Sequence, residues 1–359
     1  MKIAIVVGTR PEIIKMAPVI RELEKRDEDC FIIHTGQHYS YNLDRVFFEQ
    51  LELPPPKYNL EVGSGTHAEQ TGRILVGIEK VLQRESPDVS LVEGDTNSVF
   101  AAALAAVKLH IIVGHVEAGL RSYDKSMPEE TNRILTDHCS DYLFAPTKKA
   151  GEILLSEGIA QEKIFVTGNT IVDAVYQNLE IAREKADTLG TLGLNPREYF
   201  LVTLHRQENV DNQERFSSIL EGLYQVATKF QLPVIYPIHP RSRKMMKKFN
   251  LEPKNLRLVQ PLDFLSFLQL ESYARLILTD SGGVQEEACI LDVPCVTLRD
   301  NTERPETIEV GSNMLAGATS EKILECSKIM LGKENTWRKP FGDGKAGKRI
   351  VEILKERVH

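Results

Sequence analysis

The sequence predicts an α/β protein built from two domains, each a parallel sheet flanked by helices. Short β-branched runs alternate with longer helical patterns along the chain, the signature of parallel strands covered by helices on both faces. The 359 residues exceed one core, at roughly 150 residues per domain. The alternation weakens once, across residues 185–197, where Gly190, Gly193 and Pro196 read as a loop. Residues 170–185 just before it read as a helix, so the hinge lies on one side of that helix or the other. Placed before it, at Gly168-Asn169, it yields two halves of comparable size facing each other across a cleft.

Strands are expected at residues 3–7, 31–34, 89–93, 111–113, 142–145, 164–166, 200–204, 234–237, 257–259, 276–279 and 295–298. The helix expected over 11–25 places Ile13, Ile14, Ala17, Ile20 and Leu23 on one face. Pro11 suits its first turn, where a missing N–H goes unused.

Hydrophobic residues make up 42% and charged residues 26%, an ordinary globular balance. The net charge of −7 comes without a block of like charges, which gives neither nucleic acid nor an anionic membrane an obvious hold. The apolar run at 3–7 ends at Gly8-Thr9-Arg10 with no cleavage site, so it reads as a buried first strand and not a signal peptide. No apolar stretch approaches the ~20 residues of a membrane span. Five cysteines, an odd number without a C-x-x-C pair, read as reduced core thiols of a cytoplasmic protein. No Cys/His cluster suggests a metal, and neither a G-x-G-x-x-G nor a P-loop suggests NAD or ATP. No cofactor is expected.

Ligands of open parallel sheets bind beyond the carboxyl ends of the strands, and polar residues concentrate there. After the first strand, Gly8-Thr9-Arg10-Pro11-Glu12 with Lys15 reads as a tight turn and a helix N-terminus for an anion, or as a turn with two solvated cations. In Glu93-Gly94-Asp95-Thr96-Asn97, Asp95 is either a helix cap or a catalytic group. His115-Val116-Glu117-Ala118-Gly119-Leu120-Arg121 gathers three chemical side chains after an apolar strand. Pro128 starts a further helix on which Glu129 and Arg133 share a face, either as a surface ion pair or as site residues. His205, in Thr203-Leu204-His205-Arg206-Gln207-Glu208-Asn209, is structural or titrates near neutrality at a strand end. The strongest segment is Thr279-Asp280-Ser281-Gly282-Gly283-Val284-Gln285-Glu286-Glu287. A buried strand ends, two glycines allow close backbone approach, and a helix begins, which suits a diphosphate. Glu286 or Glu287 in its first turns can accept both ribose hydroxyls. Arg299 to Glu306 adds Arg304 to the same rim.

Taken in order, these segments resemble the non-hydrolysing UDP-N-acetylglucosamine 2-epimerases. The matching stretches are Gly8-Thr9-Arg10-Pro11-Glu12, Gly94-Asp95-Thr96, His115 to Arg121, Pro128-Glu129-Glu130 with Asn132-Arg133, Asp280-Ser281-Gly282-Gly283 with Gln285-Glu286-Glu287, and Thr302-Glu303-Arg304-Pro305-Glu306. The resemblance implies a GT-B-like fold of two Rossmann-like domains. Residues 342–359 would return to the N-terminal domain (1–168), leaving 169–341 as the UDP-binding domain. It implies a homodimer acting on UDP-GlcNAc, UDP-ManNAc and UDP. Asp95, Glu117, Glu129, Arg133 and His205 match catalytic positions. Arg10 and Lys15 would lie near the nucleotide and diphosphate, Ser281, Gly282, Gly283, Glu287 and Arg304 match UDP-binding positions, and Phe267 would approach the uracil. A second UDP-GlcNAc, as activator, would be met by Gln37, His38, Gln70 and Arg206.

Such residues suit the reaction. The C2 proton is not α to a carbonyl, and departure of UDP from C1 is what makes it removable by a carboxylate. Cations stabilise the departing diphosphate. Competing expectations are a glycosyltransferase, which needs an acceptor site, a hydrolysing epimerase, and a silent nucleotide-sugar sensor, which would have lost the carboxylates.

Overall fold

The computed structural model describes residues 1–36 and 41–358; Gln37 and His38 lie outside them. The chain divides into two compact units, Met1–Gln177 with Phe341–His359, and Asn178–Pro340.

Among the described residues, unit 1 holds seven strands: β1 (Lys2–Val7), β2 (Asp29–His34), β3 (Tyr58–Asn59), β4 (Val89–Glu93), β5 (Ile112–Val116), β6 (Tyr142–Ala145) and β7 (Ile164–Val166). They form one parallel sheet in the order β3-β2-β1-β4-β5-β6-β7. Unit 2 holds β8 (Phe200–Thr203), β9 (Val234–Pro237), β10 (Leu256–Val259), β11 (Leu276–Thr279), β12 (Cys295–Thr297) and β13 (Asn313–Leu315), parallel in the order β10-β9-β8-β11-β12-β13. Each order reverses once, between β1 and β4 and between β8 and β11. Such switch points open a crevice at the carboxyl ends of the strands.

All eleven expected strands form. β3 and β13 are additional and only two and three residues long, too short to carry a periodic signal. β5 is the informative difference, because it runs to Val116 and not to residue 113. Gly114 and His115 make the run look broken, yet a Cβ on Gly114 would lie 2.6 Å from the Leu91 side chain, so close strand packing requires glycine there. His115 is buried because a carboxylate awaits it, as described below.

β1 buries Ile3, Ala4, Ile5, Val6 and Val7 completely or nearly so, as a strand covered on both faces must. The helix Arg10–Lys25 lays Ile13, Met16, Ala17, Ile20 and Leu23 inward. The final helix, Ala346–Arg357, belongs to unit 1. Its first two amides donate to Asp173 at 3.1 and 2.9 Å, and Gly347 sits where a Cβ would come within 2.9 Å of the Pro18 backbone. No helix among the described residues is long and apolar enough to cross a membrane.

Candidate active site

At the switch point of unit 1, Gly8 leaves β1 so tightly that a Cβ would sit 2.2 Å from Ser98 Oγ. The Gly8 amide donates to Glu12 at 2.6 Å and the Thr9 hydroxyl at 3.0 Å. Burial pushes the Glu12 carboxyl up to about 7, against the hydrogen bonds from Thr96, Gly8 and Thr9 that hold it down. Arg10 remains exposed, its guanidinium 5.7 Å from the Phe47 ring centroid. Lys15, one turn further, is committed to carboxylates. Its ammonium donates to both oxygens of Glu117 at 2.7 and 2.6 Å and lies 3.1 Å from Glu93.

Glu117 directly follows β5 with φ of +70°, a left-handed conformation that a non-glycine residue adopts at a cost and that clusters at functional sites. Asn169 donates to the same carboxylate at 3.3 Å. Asp95 follows Gly94 after β4. The cap position of the next helix is Thr96, and the Asp95 carboxylate instead accepts from Arg133 at 2.6 Å, so the capping alternative falls. The expected Glu129–Arg133 pair is not made either: Arg133 pairs with Glu130 and Asp95. Glu129 stays half-buried, one position along the helix. Glu130, buried, accepts the Ser122 and Tyr123 amides at 2.9 Å each. Burial opposes its charge, but those amides and Arg133 hold its carboxyl below the ordinary value.

Below this layer lies a chain of buried polar groups. His115 bonds Asp137 through Nδ1 at 2.7 Å and the Gly94 carbonyl through Nε2 at 2.9 Å. Asp137 also meets Arg121 at 2.7 Å, and Arg121 reaches Glu157 at 2.5 Å. Asp137, although fully buried, is held below its usual range by His115 and Arg121. A second chain runs through side-chain amides. Asn132 donates to the Asp95 carbonyl at 3.0 Å and to Asn97 at 3.2 Å, Asn97 donates to Gln70 at 2.8 Å, and Gln70 donates to the Gly63 carbonyl at 3.0 Å. Gln70 is thus buried and braces the loop that carries Asp95. Both chains converge on the backbone of Gly94 and Asp95.

At the switch point of unit 2, the Thr203 and Thr279 hydroxyls bond at 2.5 Å across β8 and β11. Asp280, wholly buried, accepts the His205 amide at 3.0 Å, the Arg206 amide at 2.9 Å and the Asn209 side chain at 3.1 Å. His205 Nδ1 lies 3.1 Å from the same carboxylate. Burial works against that charge, yet the His205 ring and the two amides hold the Asp280 carboxyl below its ordinary value. His205 is therefore tethered at Nδ1 while its ring stays 43% exposed. Asp280 orders the His205 turn and is not itself open to a ligand.

The helix Gly282–Ile290 begins after Ser281 without a side-chain cap. A Cβ on Gly282 would lie 2.4 Å from Glu303, whereas one on Gly283 would meet nothing within 4 Å. Internal packing therefore does not require glycine at 283, and the residue leaves an exposed backbone at a helix N-terminus. Arg304 reaches buried Glu286 at 3.0 Å, and Arg206 reaches Glu303 at 3.0 Å. Of the two helix carboxylates, Glu286 is thus occupied. Glu287 remains half-buried, and burial, with the charge of Glu286 and against the opposing effect of Glu271, brings its carboxyl up to about 7. Glu271 is fully enclosed and pushed well above its usual value by burial and by Glu287. Phe267 is one helical turn before Glu271, half-buried, on the same helix Phe264–Tyr273. Glu93 and Glu130 stand in quoted motifs without a role assigned to them, and Asp137 and Glu271 are not singled out by the sequence at all. The available signal was a carboxylate inside an otherwise apolar run, as in Val-Ser-Leu-Val-Glu at β4.

Carboxylates paired with cations at one switch point, and an open glycine turn with a helix N-terminus at the other, define an α/β enzyme suited to an anionic nucleotide ligand and to proton transfer. Residues 21–355 match the family model for UDP-N-acetylglucosamine 2-epimerase. The chain belongs to that family, an isomerase family. It is 58% identical to the UDP-N-acetylglucosamine 2-epimerase of Methanocaldococcus jannaschii, covering 99% of each chain. It is 41% identical to the UDP-2,3-diacetamido-2,3-dideoxy-D-glucuronate 2-epimerase of Pseudomonas aeruginosa, again over 99% of each. A crystal structure of the M. jannaschii UDP-GlcNAc 2-epimerase in complex with UDP-GlcNAc and UDP matches with a TM-score of 0.86 at 58% identity, over 99% of this chain and 100% of that one.

Proposed function

We propose that this protein interconverts UDP-N-acetylglucosamine and UDP-N-acetylmannosamine by epimerisation at C2. The observation that carries the proposal is the unit 1 cluster, in which Asp95 and Glu117 stand at adjacent strand ends, each held by a cation, Arg133 or Lys15. Loss of UDP from C1 takes the C1–O electron pair with the diphosphate. A carboxylate then removes the C2 proton, and its electron pair becomes the C1=C2 bond of a 2-acetamidoglucal. Protonation of C2 from the opposite face and return of UDP to C1 complete the epimerisation. Asp95, Glu117 and Glu129 divide proton transfer and cation stabilisation, with Arg133 and His205 in support. Arg10, Lys15, Ser281, Gly282, Gly283, Glu287, Arg304 and Phe267 hold the nucleotide portion; the exposed turn at Gly283 supports this, as does the UDP carried by the M. jannaschii structure.

The same reading takes the protein as a cytoplasmic homodimer with a domain hinge at Gly168-Asn169. The free thiols Cys30, Cys139, Cys289, Cys295 and Cys326 support a reducing location. A second UDP-GlcNAc as activator rests on the family resemblance of Gln37, His38, Gln70 and Arg206. A 2,3-diacetamido uronic acid sugar is the second substrate reading, favoured by the P. aeruginosa relative. Incubation with UDP-GlcNAc in D2O, followed by NMR, decides. UDP-ManNAc bearing deuterium at C2 is expected. Free sugar with UDP, or no exchange, overturns the reading, and exchange only with the diacetamido uronic acid selects the second.

A further inference from the structure

Unit 1 places two carboxyls around one ammonium. Glu93 ends β4 with 1% exposure and Glu117 follows β5 with 9%. Lys15 bonds both Glu117 oxygens at 2.6 and 2.7 Å and lies 3.1 Å from Glu93 Oε1, off hydrogen-bond alignment. Asn169 donates to Glu117 as well. One ammonium therefore holds both carboxyls, at 3.1 Å for Glu93 and 2.6 Å for Glu117, where two ionised carboxylates repel each other and a proton on one of them relieves the repulsion. Glu117 already accepts from Lys15 twice and from Asn169, as an ionised carboxylate does. Glu93 has no other hydrogen-bond donor at Oε1, and its surroundings hold the like charges of Glu117 and Glu12. One ammonium enclosed with two ionised carboxylates would also leave a net buried negative charge, which a low-dielectric site resists.

We propose that Glu93 is a positioning residue for the reaction, a neutral carboxylic acid that donates its O–H to Glu117 and, with Lys15 and Asn169, holds the Glu117 carboxylate in one rotamer and one ionisation state. Burial and the neighbouring carboxyls both favour the protonated acid, outweighing Lys15. No substrate contact is required of Glu93. Its consequence is an alkaline limit to turnover: once Glu93 ionises, the O–H that fixed Glu117 is gone and two like charges face each other across Lys15, with Glu12 alongside. The inference rests on the reading that Glu117 acts at the sugar.

The test compares Glu93→Gln, which keeps a neutral donor, with Glu93→Ala, which removes it. Glu93→Ala is expected to lower kcat about 100-fold with KM changed less than threefold, since uniform binding is untouched. Glu93→Gln is expected to recover kcat to within about fivefold of wild type and to move the alkaline limb of the kcat profile to higher pH. The infrared difference spectrum, wild type minus Glu93→Gln at neutral pH, should show a protonated-carboxyl C=O band from Glu93, the bands of Glu271 and the other raised carboxyls cancelling. The proposal is overturned if Glu93→Gln is as impaired as Glu93→Ala, if Glu93→Ala keeps full kcat, or if the difference spectrum lacks the band. Calorimetric UDP binding reports whether each variant is folded, and the infrared band decides even where Glu93→Ala does not fold. Should the wild type itself not turn over UDP-GlcNAc, the epimerase reading fails while the band still reports the state of Glu93.

Discussion

Replacing Asp280 by alanine should loosen the His205 turn. The lost acceptor serves the His205 amide at 3.0 Å, the Arg206 amide at 2.9 Å and the Asn209 side chain at 3.1 Å. Hydrogen bonds to a charged group contribute about 1.5–3 kcal/mol each. They are not additive, and the exposed side of the turn regains water, so a net loss of about 3–4 kcal/mol is expected. At about 1.4 kcal/mol per factor of ten, amide exchange at His205 and Arg206 should accelerate on the order of 100-fold or more. Asp280→Asn keeps one oxygen in place but forfeits the charge, so its effect should be smaller. The wild type also carries a pH signature. The Asp280 carboxyl is depressed in the folded protein, so its stabilisation is fully present above the ordinary unfolded carboxylate value and is lost as pH falls through the depressed folded one. Exchange mass spectrometry or NMR across the turn is the assay. Unchanged protection at both amides in Asp280→Ala would show that the carboxylate does not order the turn.

Lys15→Ala leaves Glu117 and Glu93 facing each other without their ammonium, and steady-state kinetics should show kcat reduced about 10²–10³-fold, the scale of a lost electrostatic donor; kcat within threefold of wild type would refute the pairing. Glu287 should make UDP affinity pH-dependent. Ribose hydroxyls donate to the ionised carboxylate, so titration calorimetry should find binding strengthening as pH rises through about 7 and levelling above it. Because that carboxyl is raised in the folded protein, the same ionisation costs stability as pH rises. Glu287→Gln should flatten the binding dependence, and an equally steep slope in that variant would assign it elsewhere. Gly119→Ala meets both a φ of +83° and a Cβ placed 2.4 Å from the Ala150 carbonyl oxygen. A loss of about 2–4 kcal/mol follows, read as a calorimetric transition lowered by several degrees; an unshifted transition would contradict the close approach.

Much of the architecture was legible because strands and helices are local. Eleven strands announce themselves by β-branched runs, and the final helix by its apolar face of Ile350, Val351 and Leu354. The exceptions have local causes too. β3 and β13 are too short to show a period, and β5 hides its last residues behind Gly114 and His115. The strand ends named from the sequence are strand ends in the fold: Gly8, Asp95, His205 and Asp280 follow strands that flank the two switch points, and Glu117 follows β5, next to β4.

Partners were another matter. Asp95 reads equally well as a helix cap until Arg133, 38 positions later, takes its carboxylate. Arg133 reads as the partner of Glu129 by spacing, and meets Glu130 and Asp95 instead. Glu93 looks like the polar end of a strand, and Glu271 like one carboxylate among many on a helix. Only the folded chain shows that each is enclosed against a second carboxyl. The sequence by itself determined the order of strands and helices and the loops that carry chemistry, because periodicity and turn residues act over a few positions. The tertiary structure alone decided which carboxylate meets which cation and which carboxyl is pushed above its ordinary value, because burial and charge are set by residues distant in sequence that the sheet brings within about 3 Å, the range of a hydrogen bond.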